Sequence, residues 1–267
     1  MQLRLDKYLA DVGYGTRSEV KQLIRRGEVL VDGKRASGPE QKVDITRNAV
    51  SVSGEPVFYE PISYYILNKP EGILSASRDG REKTVVDLIP EPKRRDLFPV
   101  GRLDRDTTGL LLITNDGKLS NRLMAPGKHV PKTYRATVEG ILPDNLEELF
   151  ANGVDIGDDK PTAPAIVRVL QNTEDEITDA TEKPTEDNTE ADPSSNGIMS
   201  TASTSQIVEL TITEGRYHQV KRMFEAVGCH VTRLERIAIA SLTLPPDLPR
   251  GSTLKLTYEE LIARLGI

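Results

Sequence analysis

GRLDRDTTGLLLITNDG, residues 101–117, sets the reading of the whole chain. A Gly101-Arg102 turn delivers Asp104, Asp106 follows two positions on, and then comes the dense apolar run Leu110, Leu111, Leu112 and Ile113. Asn115-Asp116-Gly117 closes the run with residues suited to a tight hairpin turn. A carboxylate at the edge of an apolar run is costly unless it is paired. Asp ahead of Thr is also a common way to satisfy loose backbone groups in a turn. The local pattern therefore leaves both aspartates open between turn chemistry and function.

Working outward, strand-like segments surround this one: SYYILNKP (63–70), GLLLITN (109–115), TYRATVEG (133–140), PAIVRVL (164–170), SQIVELTIT (205–213) and STLKLTY (252–258). Helical patterns intervene near 119–125, 143–152 and 217–227. Strands and helices in this order predict an α+β fold with a mostly antiparallel mixed sheet over residues 61–267. No GxGxxG opens a helix after a strand, which argues against a dinucleotide fold.

The chain is long enough for two domains. It has 267 residues, 37% of them hydrophobic and 28% charged. It carries no apolar run near the roughly 18 residues of a membrane span, and its first residues, MQLRLDKYLADVG, hold no signal-peptide core. One cysteine, Cys229, forms no internal disulfide, and with three histidines it makes no metal cluster; a reducing cytoplasm is the expected compartment. The net charge of −6 is unevenly spread. Residues 172–205 hold nine acids against Lys183 alone, which leaves 34 bases and 32 acids elsewhere. That acidic tract has too few apolar residues to offset its ordering entropy. It is expected to be a disordered insertion between two hairpin strands, where long loops are tolerated.

Residues 1–36 read as a small α-rich unit. Leu3, Leu5, Tyr8, Leu9 and Val12 suit one short helix ended by Gly13. Thr16 is a candidate N-cap of a second helix, with Glu19 three residues later as in a capping box. Val20, Leu23 and Ile24 give its buried stripe and Gly27 its stop; EVLVDGKRA then forms strand, Asp32-Gly33 turn and strand. Arg17, Lys21 and Arg25 recur every four residues on another face, with Arg26 beside them. Most such runs are solvated faces, yet like charges at this spacing repel one another, so a nucleic acid is the better explanation. Residues 37–60 read as the end of this module and a linker.

Two further segments carry unusual polar residues. Lys132-Thr133-Tyr134 leads a strand, where Tyr134 is either core or a ring to stack on a base. GRYHQVKRMFEAVGCHV (215–231) has the stripe Val220, Met223, Phe224, Val227 and a Gly228 stop. Arg216, His218, Lys221 and Arg222 crowd its first turns. Bases there oppose the helix dipole, so the cluster wants a negative partner: a phosphate, a buried Asp, or both.

Together GRLDRDTTGLLLITNDG, KTY and EGRYHQVKRMF resemble the three characteristic segments of the bacterial pseudouridine synthases. They are most similar to the ribosomal small-subunit pseudouridine synthase A group, and LNKPEGILS (67–75) matches a further element of that group. RLDKYLA and GTRSEVKQLIRRGEVLVDGK resemble the RNA-binding module shared with a small-subunit ribosomal protein. The resemblance implies that Asp104, not Asp106, is catalytic. It implies that Tyr134 stacks on the flipped uracil and that a base matching Lys221, with Arg222 as the neighbouring alternative, pairs with Asp104. Arg17, Lys21, Arg25, Arg26, Arg102, Arg216, His218 and Arg222 are the expected RNA contacts. The reaction it implies turns a uridine of small-subunit ribosomal RNA into pseudouridine, with no cofactor and no metal, by a cytoplasmic monomer with no membrane partner. The same chemistry on large-subunit RNA and a non-catalytic RNA-binding assembly factor are the alternatives. A glycosidase-like use of Asp104 and Asp106 fits poorly, because two residues apart on a strand they stand closer than the roughly 5 Å such pairs need.

Overall fold

The computed structural model describes residues 1–90, 96–172 and 205–267. All but the two ends of the acidic tract, residues 173–204, therefore lie outside the described residues. The chain forms two compact units, Met1–Val130 with Arg236–Ile267, and Pro131–Glu235.

The first unit opens with β1 (Gln2–Arg4), α1 (Leu5–Asp11), α2 (Arg17–Arg26), β2 (Val29–Val31), β3 (Lys34–Arg35), β4 (Lys42–Asp44), β5 (Val50–Val52) and β6 (Glu55–Val57). The α2 cap forms as the sequence predicts: the Glu19 amide donates to Thr16 Oγ1 at 3.2 Å and the Thr16 amide to Glu19 Oε2 at 2.6 Å. Gly27 ends the helix in the left-handed region at φ 81°, and the Asp32-Gly33 turn takes positive φ at both positions, the conformation tight hairpins favour. Two expectations change here. Leu3 belongs to β1, where it pairs with Val43, rather than to the first helix. Residues 37–60 hold three short strands: β4 pairs with β1, and β5 and β6 join the sheet of order β3-β2-β5-β6. Val43, Val50, Val52 and Val57 are buried in one core with Leu5, Leu9, Val20 and Ile24. Three-residue strands are too short to show an alternation in sequence, which is why they read as linker.

The same unit continues through β7 (Tyr64–Lys69), β8 (Phe98–Pro99), β9 (Thr108–Thr114) and α3 (Gly117–Met124). β7 and β9 pair antiparallel from Tyr64↔Thr114 to Lys69↔Gly109. Both are buried along their whole length, which explains an unbroken apolar run instead of an alternating one. Asn115-Asp116-Gly117 is not a hairpin turn. Asp116 caps α3, its Oδ1 accepting from the Lys118 and Leu119 amides at 3.0 and 3.1 Å, while Oδ2 accepts from the Tyr64 hydroxyl at 2.9 Å.

The second unit holds β10 (Lys132–Glu139), α4 (Leu146–Ala151), β11 (Ile166–Asn172), β12 (Ser205–Ile212), α5 (Gln219–Glu225) and the start of β13 (His230–Ile239). β12 pairs antiparallel with β10, Lys132↔Ile212 to Glu139↔Ser205, and with β11, which bulges between Val169 and Gln171. β13 ends in the first unit, where Ala238 pairs with Thr243 of β14 (Leu242–Thr243). β15 (Thr253–Leu256) then pairs with β7, and α6 (Tyr258–Leu265) follows behind a Thr257–Glu260 capping box. These antiparallel ladders and their helices make the fold α+β. β13 and α6 are elements the sequence pattern did not announce; Arg233, Glu235 and Arg236 break up the apolar signal of the strand. No helix among the described residues is long and apolar enough to cross a membrane.

Candidate active site

Asp104 lies on the loop between β8 and β9, half-buried, with Arg102, Arg105 and Asp106 exposed around it and Leu103 and Thr107 buried. The loop enters through Gly101 at φ 72°, where an added Cβ would stand 2.7 Å from Met124 Sδ. Glycine is the residue that both conditions allow. Thr107 N donates to the Asp104 carbonyl at 3.1 Å, closing a turn that leaves the Asp104 side chain at the half-buried rim.

The loop is held from below by a residue that sequence reasoning missed. Lys69, at the end of β7, is fully buried. Its Nζ donates to four carbonyls: Pro70 and Asp104 at 3.1 Å, Arg105 at 3.2 Å and Thr107 at 2.9 Å. Burial pushes the ammonium down to about 8, against the pull of the Asp106, Asp104 and Glu71 carboxylates. A buried ammonium has three N–H donors to satisfy in place of water, and the four oxygens share them. Ser75 adds a second hold, its hydroxyl donating to the Leu103 carbonyl at 2.7 Å and accepting from the Leu103 amide at 3.1 Å. Gly72 N donates to the Arg105 carbonyl at 2.8 Å, and Arg105 pairs with Glu82 at 2.8 Å. The one available signal was a lysine inside the apolar run YYILNK. In the same unit, 126 residues further along the chain, buried Arg236 donates from Nε to the Leu110 carbonyl at 2.8 Å.

The second unit holds Tyr134 and the basic cluster of residues 216–222. Tyr134 is buried on β10 opposite Leu210, and Thr133 meets Thr211 at 2.9 Å. Lys221 and Arg222 sit half-buried on α5, with His218 just before it at φ 48°. The basic cluster meets an acid, but Asp158 is exposed, not the buried Asp expected. It accepts from Arg222 Nη2 at 2.6 Å and pairs with Arg216 Nη1 at 3.4 Å. The hydrogen bond from Arg222, helped by the charges of Arg222 and Arg216, holds its carboxyl below the usual range. Arg216 also donates to the Lys160 and Pro161 carbonyls at 2.6 and 2.8 Å and meets Glu214 at 3.3 Å. Arg222 donates to the Ile156 and Tyr217 carbonyls. Arg216 and Arg222 thus brace their own segment, a role the sequence did not separate from RNA contact.

In the N-terminal module Arg17, Arg25 and Arg26 are exposed and Lys21 is half-buried. Lys21, Arg25 and Arg35 line a groove of about 420 Å³ with Ser37 and Gly38, and Arg35 is held there by donating to the Arg25 carbonyl at 2.8 Å. Arg26 leans away onto Glu28.

This chain belongs to the RNA pseudouridylate synthase family, whose family model matches residues 63–226, preceded by an S4 domain at residues 3–47. It is similar over 261 residues to an uncharacterized RNA pseudouridine synthase, YtzG, of Bacillus subtilis, at 42% identity and 97% of each chain. The ribosomal small subunit pseudouridine synthase A of Escherichia coli K12 is 36% identical, over 97% of this chain and 98% of its own. The ribosomal large subunit pseudouridine synthase B of B. subtilis is also 36% identical, over 97% of this chain and 93% of its own. A crystal structure of a pseudouridylate synthase superposes with a TM-score of 0.61 at 31% identity, covering 98% of this chain and 99% of that one.

Proposed function

We propose that this chain converts a specific uridine of small-subunit ribosomal RNA to pseudouridine, as a cytoplasmic monomer. The observation that carries the reading is Asp104: an ionisable side chain at the half-buried rim of a loop whose backbone is fixed by a buried lysine. A reacting group must be held in place while its substrate is rearranged. In the proposed reaction the C1′–N1 bond breaks, the uracil turns, and a C1′–C5 bond forms. The proton on C5 leaves and N1 takes one up, so the product is an isomer and neither an oxidant nor a leaving group is involved. The base is extruded from RNA structure to reach the enzyme.

Asp104 is assigned the catalytic role, Tyr134 stacks on the uracil, and Lys221 is the cation that favours the ionised aspartate. Lys221 is the position that matches the family's base, while Arg222 bonds Asp158 and the Ile156 carbonyl. The module bearing Arg17, Lys21 and Arg25 binds the RNA backbone, with Arg26, Arg102, Arg216, His218 and Arg222 as further contacts. The small-subunit assignment draws on the E. coli relative and on the GRYHQVKRM segment. The large-subunit relative of equal identity makes 23S RNA the second reading.

Pseudouridine mapping of both ribosomal RNAs, from cells with and without the gene, tests this directly. One small-subunit site lost on deletion, restored by the wild type and not by Asp104→Asn, is the expected result. A lost large-subunit site moves the substrate to the second reading, and no change in any RNA overturns the activity.

A further inference from the structure

Tyr217 is 75% exposed, yet it is held in place. Its ring stacks on His218, with centroids 3.9 Å apart and planes 16° from parallel. His218 takes a left-handed φ of 48°, a conformation that side-chain residues adopt at a cost. The Tyr217 carbonyl accepts from Arg222 Nη1 at 3.2 Å. On either side, Arg216 and Arg222 are anchored on Asp158 and on the carbonyls of residues 156, 160 and 161. A strained backbone and two arginine braces therefore keep a large ring in solvent, with one face on an imidazole and most of the rest open. Left to itself, such a ring gains by folding back onto apolar surface.

We infer that Tyr217, backed by His218, is a stacking site for a nucleobase of the RNA substrate. The inference rests on the reading of the chain as an RNA pseudouridine synthase. A nucleobase suits the site because its flat face matches an open aromatic ring, and stacking of this kind accepts any base. A protein side chain would more often seek an apolar pocket, whereas this ring follows Arg216 directly in sequence and its own carbonyl accepts from Arg222.

The sequence contains no tryptophan, so Tyr217→Trp in the full-length protein places a single reporter at the site. Its fluorescence is expected to be quenched by transcribed ribosomal RNA and not by heparin, a polyanion without bases. Equal quenching by heparin, or none by RNA that demonstrably binds, overturns the inference. This arm holds whether or not the RNA is a substrate. In the activity arm, Tyr217→Ala raises KM for ribosomal RNA about tenfold with a smaller change in kcat, and Tyr217→Phe restores it. An active wild type with an unchanged Tyr217→Ala variant defeats the stacking site alone, whereas an inactive wild type defeats the proposed function instead. A Tyr217→Ala variant that is normal on naked RNA and impaired only on ribosomal particles assigns the ring to a protein contact and also overturns it.

Discussion

The Asp104 loop and the segment from Glu214 to Arg222 are held in opposite ways. Lys69 and Ser75 grip the loop through buried bonds to backbone atoms of residues 103–107. The Glu214–Arg222 segment is gripped by half-exposed charges, Arg216 and Arg222 on Asp158 and Glu214. Bonds from a buried cation to neutral carbonyls are little screened by salt and have no acid partner to titrate. Exposed ion pairs weaken with ionic strength and with acid. Both segments are thus fixed, but the hold on the Asp104 loop is insensitive to salt and acid, whereas the hold on the second segment depends on both.

The comparison breaks most visibly at Lys221. On the proposed assignment, Lys221→Met lowers turnover by about a hundredfold or more with the melting temperature unchanged, as single-turnover kinetics and calorimetry would show. Arg222→Met is expected to do the reverse, lowering stability more than chemistry. Equal losses from both would return the pairing with Asp104 to Arg222.

Lys69→Met leaves four carbonyls without their donor and is expected to cost about 3 kcal/mol of stability, measured by urea unfolding. Lys69→Arg does not restore it, since a planar guanidinium does not reproduce a compact ammonium. The pH dependence has a definite sign. The folded value is about 8 against an ordinary 10.5, so between these the unfolded chain holds more protons. The burial penalty is fully present below pH 8 and fades above it. Wild type therefore gains stability relative to Lys69→Met as pH rises from 8 to 10.5, and a flat difference would remove Lys69 as the titrating group.

Neutralising Arg17, Lys21 and Arg25 together is expected to weaken RNA binding about tenfold and to lower the salt slope by about two to three. An unchanged slope would take the N-terminal helix out of the interface. The smallest effect is Asp158→Asn, a small fall in melting temperature with activity changed severalfold at most, less than for Arg222→Met because Arg222 keeps its carbonyl acceptors. Its folded value is lowered, so the brace is present above the usual carboxylate range and is lost as pH falls through that lowered value. The asparagine variant should be insensitive to this acid step, which activity at graded pH would reveal.

Where neighbours in sequence decide a structure, the sequence could be read. The Thr16–Glu19 cap, the Asp32-Gly33 turn and the β9 run all formed as their local patterns predict, while the basic cluster on Arg216 and Arg222 met an exposed acid where a buried one was expected. What lay beyond reach was identity at a distance. Asp158 stands 58 and 64 residues from the arginines it meets. The Lys69 clamp acts on backbone oxygens up to 38 residues away, which carry no side-chain signature. Asp116 was misread because Asp before Gly suits a hairpin and a helix cap equally; the Tyr64 hydroxyl and the α3 amides, not the tripeptide, make it a cap.

The most direct test of the account uses purified full-length protein, transcribed ribosomal RNA and no added cofactor, with pseudouridine counted by mass spectrometry for wild type, Asp104→Asn and Asp106→Asn. The account predicts conversion by wild type and by Asp106→Asn, and none by Asp104→Asn at equal RNA affinity and melting temperature. Conversion by Asp104→Asn with loss in Asp106→Asn would contradict it.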